Sequence, residues 1–289
     1  MNHFYDQYQY TMDIRGFAEI TKKTYLNHLQ LFFRFTKKSP GQCGYDDVRR
    51  YLHHLIVARK LSSYYINIAY SAIKFFYEST LRWKWEMKHI PRIPRKRPIP
   101  RVLTETAVKA MLEKTENLKH RAILSTAYSS GLRISELMHL RIKDIDSANM
   151  RIYIRRGKGG APRTAILSKA NLLLLREYWK EYRPKEWLFP GQDQSKPLSN
   201  RTVQTIYKEA VKRASIEDGG SMHTLRHSFA THLLNHGENL NTIRELLGHS
   251  SLTSTTIYLH VTQAQLMGLK SPQDMWVEES AKEDPRDAD

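Results

Sequence analysis

The chain has 289 residues, of which 40% are hydrophobic and 26% charged, and no apolar run is long enough to span a bilayer. Its net charge of +17 indicates a polyanionic partner, most often nucleic acid, rather than a membrane. Cys43 is the only cysteine, which excludes an intrachain disulfide and a cysteine metal cluster. The start is polar and has no signal-peptide core, so we expect a reducing, cytoplasmic setting.

The first third of the chain has the apolar spacing of amphipathic helices. Three stretches, residues 21–35, 46–60 and 62–79, carry apolar side chains at i, i+3, i+4 and i+7. Asp46 or Asp47 is the expected cap of the second helix. Short loops join these stretches, so the sequence predicts an all-α bundle of three or four helices over residues 1–88.

A proline-rich basic segment follows at residues 89–101. Four prolines forbid a regular helix and favour extended backbone, and no acidic residue interrupts the positive charge. An ordinary solvated linker is one interpretation; with the charge of the whole chain, we favour a linker that lies along a phosphate backbone. The predicted DNA-binding residues of this segment are Arg92, Arg95, Lys96, Arg97 and Arg101.

The remainder of the chain, residues 102–272, is predicted to be a mainly α domain with a small β-sheet. Alternation of apolar and polar residues in "MRIYIRR", followed by the glycines of "GKGG" and by "APRTAIL", predicts a β-hairpin. Asn241 is the expected cap of the last helix. An acidic tail, residues 273–289, is expected to be disordered. Helical spacing covers residues 104–114, 119–129, 168–182, 199–214, 224–236 and 241–247.

Two short stretches carry side chains suited to anion chemistry. In "SSGLRISEL", Gly131 can end one helix, and Arg133 follows at the start of the next. In "SMHTLRHSFATHLL", His223 and Arg226 share a face near the positive end of a helix dipole. A zinc site on the histidines of that helix is an alternative, but no HExxH pattern or cysteine supports it.

Together these stretches resemble the tyrosine recombinase (phage integrase) family. "GLRISEL" is similar to its first arginine box, "HTLRHSFATHLL" to its second, and "GKGG" to its catalytic-lysine turn. "LLGHSS" followed by "TTIYLHV" is similar to the late histidine and the tyrosine nucleophile. The order and spacing agree over residues 104–262, and the helical first third resembles the core-binding, SAM-like domain. The neighbourhoods of these motifs look most like the Xer type and related mobile-element integrases.

The resemblance implies a role for each matching residue. Tyr258 would attack the scissile phosphate and form a 3′-phosphotyrosine, and Lys158 would protonate the departing 5′-oxygen. Arg133 and Arg226 would grip the non-bridging oxygens. His223 would assist proton transfer and His249 would donate a hydrogen bond to the phosphate. Glu136 is similar to a frequent family acid that orients the site, and its expected role is structural. No metal and no nucleotide cofactor is implied.

The implied partner is double-stranded DNA at a specific recombination site, held by a two-domain clamp. A homotetramer on two sites, or pairing with a related recombinase, would use the apolar residues between Val261 and Trp276. A phage or transposon integrase and a chromosome-dimer resolvase remain alternatives within the family. A catalytically silent DNA-binding protein is the alternative outside it, and a histidine-metal hydrolase is a third.

Overall fold

The computed structural model describes residues 2–86, 89–94, 100–155 and 162–248. The chain divides into two compact units, Met1–Pro98 and Ile99–Asp289. No helix among the described residues is both long enough and apolar enough to cross a membrane.

The first unit is a bundle of four helices around an aromatic core. Tyr8, Phe32, Phe76 and Tyr77 are fully buried, and their rings meet mostly edge to face. The sequence did not predict the first helix, because polar and aromatic side chains interrupt the apolar spacing there. The helices are α1 (Asn2–Ile14), α2 (Glu19–Thr36), α3 (Tyr45–Val57) and α4 (Ser63–Ser79).

Helix α3 begins at Tyr45, before either of its expected caps, so that prediction was wrong. Gly44 occupies the cap position. Asp47, at the third helical position, reaches back and accepts a hydrogen bond from the Gly44 N–H at 3.0 Å. The same carboxylate binds Lys38 Nζ at 2.9 Å and Arg50 Nη2 at 2.6 Å. An acid in the first helical turn is favoured by the helix dipole, which explains why it stabilises this end without being the cap.

The beginning of the proline-rich segment packs on the first unit. Ile90 is buried and Ile93 lies against the same core. Asn67, itself buried in α4, donates from Nδ2 to the Ile93 carbonyl at 2.9 Å. Residues 95–99 of this segment lie outside the described ranges.

The second unit is mainly helical with one small antiparallel sheet, which confirms the predicted fold class. The strands lie in the order β1, β2, β3, and Ile152 of β2 pairs with Ala165 of β3. The strands are β1 (Ile145–Asp146), β2 (Arg151–Ile154) and β3 (Arg163–Ile166). The helices are α5 (Glu105–Glu113), α6 (Leu118–Ser129), α7 (Ile134–Met138), α8 (Lys169–Tyr182), α9 (Asn200–Arg213), α10 (His223–Asn235) and α11 (Leu240–Leu247).

Helix α10 lies inside this unit, with nine of its 13 residues buried, and most of its buried polar side chains have hydrogen-bond partners. Leu103, just after the proline-rich segment, is bound at both backbone groups. Its N–H donates to Ser228 Oγ at 2.9 Å, and its carbonyl lies 2.8 Å from His232 Nε2. The other ring nitrogen of His232 lies 2.8 Å from the Tyr128 hydroxyl. These bonds fix the position of α10 against α6 and the start of the unit.

Helix α11 is capped by Asn239, not by Asn241 as predicted. The Asn239 side chain accepts a hydrogen bond from the Asn241 N–H at 2.7 Å. The two asparagines are two residues apart, and the sequence alone does not say which one leaves the helical conformation. Gly248 ends α11 in the left-handed conformation, with φ of 60°.

Candidate active site

A tight turn between α6 and α7 places the first predicted arginine. Gly131 has φ of 57°, which glycine adopts without strain, and a Cβ built there would lie 2.5 Å from the ring of Phe229. Arg133 then occupies the cap position of α7. Its backbone N–H donates to Glu136 Oε2 at 2.8 Å. The glycine turn and the cap bond together direct this arginine toward α10 and α11.

The second predicted arginine, Arg226, reaches the same place from α10. Its side chain is only 5% exposed. Nη1 donates to the Gly131 carbonyl and Nη2 to the Leu247 carbonyl, both at 2.6 Å. Arg226 therefore joins the glycine turn before Arg133 to the end of α11.

A buried carboxylate, Glu136, binds the cluster together. Its side chain is 1% exposed, and Oε1 accepts from Arg133 Nη1 at 2.6 Å. Arg226 Nη1 lies 3.8 Å from Oε2. Burial alone would raise the pKa of Glu136. The hydrogen bonds and positive charges of Arg163 and Arg133 outweigh burial and hold that pKa below its ordinary value.

Arg163, the first residue of β3, is the member of this cluster that the sequence did not single out. Its Nη2 donates to Glu136 Oε2 at 2.6 Å and its Nε to Oε1 at 3.3 Å. Its Nη1 donates to the Leu246 carbonyl in the last turn of α11. The partners are 27 and 83 residues away in the chain, so no local spacing could have indicated them.

The histidines of α10 are held neutral by their surroundings. His223 stands exposed at the start of the helix, yet desolvation by neighbouring atoms and the charges of Arg226 and Arg133 lower its pKa. Desolvation, the largest effect, and the charges of His223 and Arg226 lower the pKa of His227 to about 4. Burial also lowers the pKa of His232. A neutral imidazole at position 223 can accept a proton.

Several predicted site residues lie outside the described ranges. Of the basic segment, Arg92 and Arg101 are described. Arg92 lies over the Tyr70 ring at 5.6 Å and donates to Ser71 Oγ at 3.4 Å. Arg101 forms an ion pair with Asp218. The predicted residues outside the described ranges are Arg95, Lys96, Arg97, Lys158, His249 and Tyr258.

The arrangement is suited to binding an anion. Three guanidinium groups share one carboxylate, so positive charge is in excess, and Arg133 keeps 17% of its side chain exposed. Arginine forks bind phosphate oxygens in pairs, and partial burial strengthens that interaction. Within the described ranges, no three histidine, cysteine or acidic side chains are grouped so that they could hold a metal ion.

Comparison with protein families gives two matches that together cover most of the chain. Residues 101–265 match the phage integrase family, and residues 4–87 match the N-terminal SAM-like domain of phage integrases. The cluster built from Arg133, Glu136, Arg163 and Arg226 lies wholly within the first match.

Known proteins are similar over nearly their whole length. A Sinorhizobium fredii protein named as an integrase/recombinase is 39% identical over 264 residues, covering 90% of this chain and 85% of that protein. Tyrosine recombinase XerA of Pyrococcus horikoshii is 31% identical over 262 residues, covering 88% of each. Among solved structures, XerH bound to difH after cleavage has a TM-score of 0.71 at 22% identity, covering 87% of this chain and 79% of that one.

Proposed function

Because the chain belongs to the phage integrase family and is a tyrosine-type site-specific recombinase, we propose that it breaks and rejoins DNA strands through a covalent 3′-phosphotyrosine. The observation that carries this proposal is the convergence of Arg133 and Arg226. Two guanidinium groups from different helices meet at one carboxylate, beside an exposed histidine whose pKa is lowered. A scissile phosphate is the anion that suits this site in a DNA recombinase.

The proposed step begins with attack of the Tyr258 hydroxyl oxygen on phosphorus. The new bond joins that oxygen to phosphorus, and the bond from phosphorus to the 5′-oxygen breaks. His223 takes the tyrosine proton, and Lys158 gives a proton to the departing 5′-oxygen. Arg133, Arg226 and His249 stabilise the charge that gathers on the non-bridging oxygens. The strand is rejoined when a 5′-hydroxyl attacks the phosphotyrosine and releases Tyr258.

Three tyrosines of the second unit within the described ranges have other roles, which supports Tyr258 as the nucleophile. Tyr207 is fully buried, its hydroxyl donates to the Gly219 carbonyl, and burial raises its pKa to about 12. The Tyr128 hydroxyl is bound to His232 at 2.8 Å. Tyr153 is exposed, but its hydroxyl donates to Asp146 at 3.1 Å.

We further propose that double-stranded DNA is the partner and that no metal or nucleotide takes part. The arginines supply the positive charge that a metal would supply, and the phosphotyrosine conserves the bond energy for religation. The net charge of +17 supports a long contact with a phosphate backbone. We propose a homotetramer on two sites as the assembly and, separately, the cytoplasm as the location.

Trapping on nicked DNA tests this proposal. The bound site is first recovered from the source genome, and a nick beside the scissile phosphate then lets the cleaved fragment diffuse away. We expect a covalent protein–DNA adduct to accumulate in excess chelator. Tyr258→Phe should bind the same DNA with unchanged affinity and form no adduct, because only the hydroxyl is lost. An adduct formed by that variant, or one that needs added metal, contradicts the proposal, and binding without an adduct favours the architectural alternative.

A further inference from the structure

We propose that Arg163 is a positioning residue of the strand-cleavage reaction, an inference that rests on the proposed function. Through Glu136 it orients Arg133, and through the Leu246 carbonyl it holds the end of α11. Its side chain is 9% exposed, against 17% for Arg133. Arg163 therefore acts on the phosphate through other residues.

The first tie is the shared carboxylate. Each oxygen of Glu136 accepts one bond from Arg133 and one from Arg163: Oε1 from Arg133 Nη1 and Arg163 Nε, and Oε2 from the Arg133 N–H and Arg163 Nη2. These four hydrogen bonds hold the Glu136 carboxylate in a single orientation. Without Arg163, Glu136 would keep its Arg133 bonds and the longer Arg226 contact at 3.8 Å, and the Glu136 and Arg133 side chains could turn together.

The second tie is the end of α11, where three successive carbonyls each accept from a different arginine. Leu246 accepts from Arg163, Leu247 from Arg226 and Gly248 from Arg133. The last carbonyls of a helix have no partner within the helix and carry the negative end of its dipole. The arginines supply those partners, and His249 follows Gly248 directly in the sequence.

Gly248 shows how closely Arg163 lies against this helix end. A Cβ built on Gly248 would lie 2.6 Å from Arg163 Cδ. The left-handed glycine thus leaves room for the arginine stem. Arg163 therefore links Arg133, through their common carboxylate, to the helix end from which the chain continues toward His249.

The consequence for catalysis is a loss in the chemical step and not in DNA binding. A misplaced arginine weakens stabilisation of the transition-state charge, and a displacement of about 1 Å can lower a rate on the order of 100-fold. Because Arg163 is buried, its removal should leave the dissociation constant for DNA nearly unchanged.

The experiment compares Arg163→Met with Arg155→Met in the full chain. Arg155, beside the same sheet, is 56% exposed and pairs with Asp144, so its loss removes one arginine without touching Glu136. Single-turnover adduct formation is measured at saturating nicked DNA, with a normal scissile phosphate and with a methylphosphonate in its place. The methylphosphonate lacks one negative charge, so Arg133 has less charge to stabilise in the transition state.

We expect Arg163→Met to slow adduct formation about 100-fold on the phosphate and less than about 10-fold on the methylphosphonate. Arg155→Met should stay within about 3-fold on both at a temperature where it is folded, because Arg155 is more than half exposed and pairs with Asp144 rather than with Glu136. Arg163→Lys keeps the charge beside Glu136 but loses the fork, so its rate should lie between that of Arg163→Met and that of the unaltered protein. If Arg163→Met does not fold, Arg163→Lys is compared with Arg155→Met and the unaltered protein instead. The proposal is overturned if the tested variant loses the same factor in rate on both substrates. It is also overturned if the variant forms the adduct at the normal rate.

Hydrogen exchange measures the tie to α11 independently of activity. The amides at the end of α11 should exchange faster in the Arg163 variant than in the unaltered protein or the Arg155 variant. Unchanged exchange overturns the positioning role. An unaltered protein that forms no adduct instead overturns the proposed function, so the two failures are distinct.

Discussion

At the scale of single residues, Glu136 is the point on which the site depends. It is buried, and the two arginines that bind it directly are mostly buried as well. Breaking a buried ion pair by removing one partner costs about 3–5 kcal/mol, because the remaining charge loses its compensation. The sequence resemblance implied an orienting acid here, and the structure adds that the acid is shared between Arg133 and Arg163.

Glu136→Gln should therefore lower the free energy of unfolding at pH 7 by about 3 kcal/mol. The folded pKa of Glu136 is depressed, so its stabilising contribution is complete above the unfolded pKa near 4.5 and is lost as the pH falls through the lower folded value. The free energies of unfolding of the unaltered protein and of Glu136→Gln should thus become more alike on acidification below about pH 4.5. Urea unfolding at a series of pH values measures it.

Asp144→Asn is the matched control for that carboxylate. Asp144 is buried and accepts from Arg155 Nε at 2.6 Å, and Arg155 is not a member of the arginine cluster. The Asp144→Asn variant should have a lower free energy of unfolding. At a temperature where it is folded, its rate of adduct formation should be unchanged. Equal rate losses in the two variants would show that Glu136 acts only through stability.

The sequence predicted Arg133 and Arg226 because each lies in a local motif, at a glycine turn or at a helix start. Arg163 was not predicted, because its role arises from contacts with α7 and α11 that are distant in the chain. A charged residue at the start of a strand normally indicates a solvated position. Only the folded arrangement shows that this arginine is buried.

At the scale of secondary structure, apolar spacing predicted most helices of both units and the β2–β3 hairpin. The signal was weakest where elements are short or their caps ambiguous. Strand β1 has two residues, too few for alternation to be recognised. The cap of α11 lies at Asn239 because the local backbone, not the residue type, decides between two asparagines.

The glycine turn before α7 gives a prediction at this scale. Gly131→Ala should destabilise the second unit by about 3 kcal/mol, the sum of left-handed strain and a clash with Phe229. Gly237→Ala is the matched control, since Gly237 also has positive φ but nothing within 4 Å of the added Cβ. It should cost only about 1–2 kcal/mol. Thermal or urea unfolding of both variants measures the difference, and equal losses would show that close packing at Gly131 is unimportant.

At the scale of the whole molecule, we expect the excess of positive charge to be the main determinant of DNA affinity. Each phosphate contact made by a lysine or arginine releases counterions, so affinity falls steeply with salt. Neutralising Arg95, Lys96 and Arg97 together to glutamine should lower the slope of log affinity against log salt by about 2.7. Filter binding or fluorescence anisotropy at several salt concentrations measures this slope.

The control removes the same charge from lysines that already have acidic partners. Lys74, Lys109 and Lys196 lie beside Glu78, Glu113 and Asp193 on their own segments. Their replacement by glutamine should leave the slope nearly unchanged. If both triple variants lower the slope equally, the basic segment is not a preferred contact and only the total charge matters.

The proposed mechanism depends on which side chain becomes joined to DNA. The most direct measurement is proteolysis of the trapped adduct followed by mass spectrometry of the DNA-linked peptide. We predict a peptide that contains Tyr258, with the phosphate attached to the tyrosine oxygen at the 3′ end of the cleaved strand. Attachment to any other residue, or at a 5′ end, would contradict the mechanism.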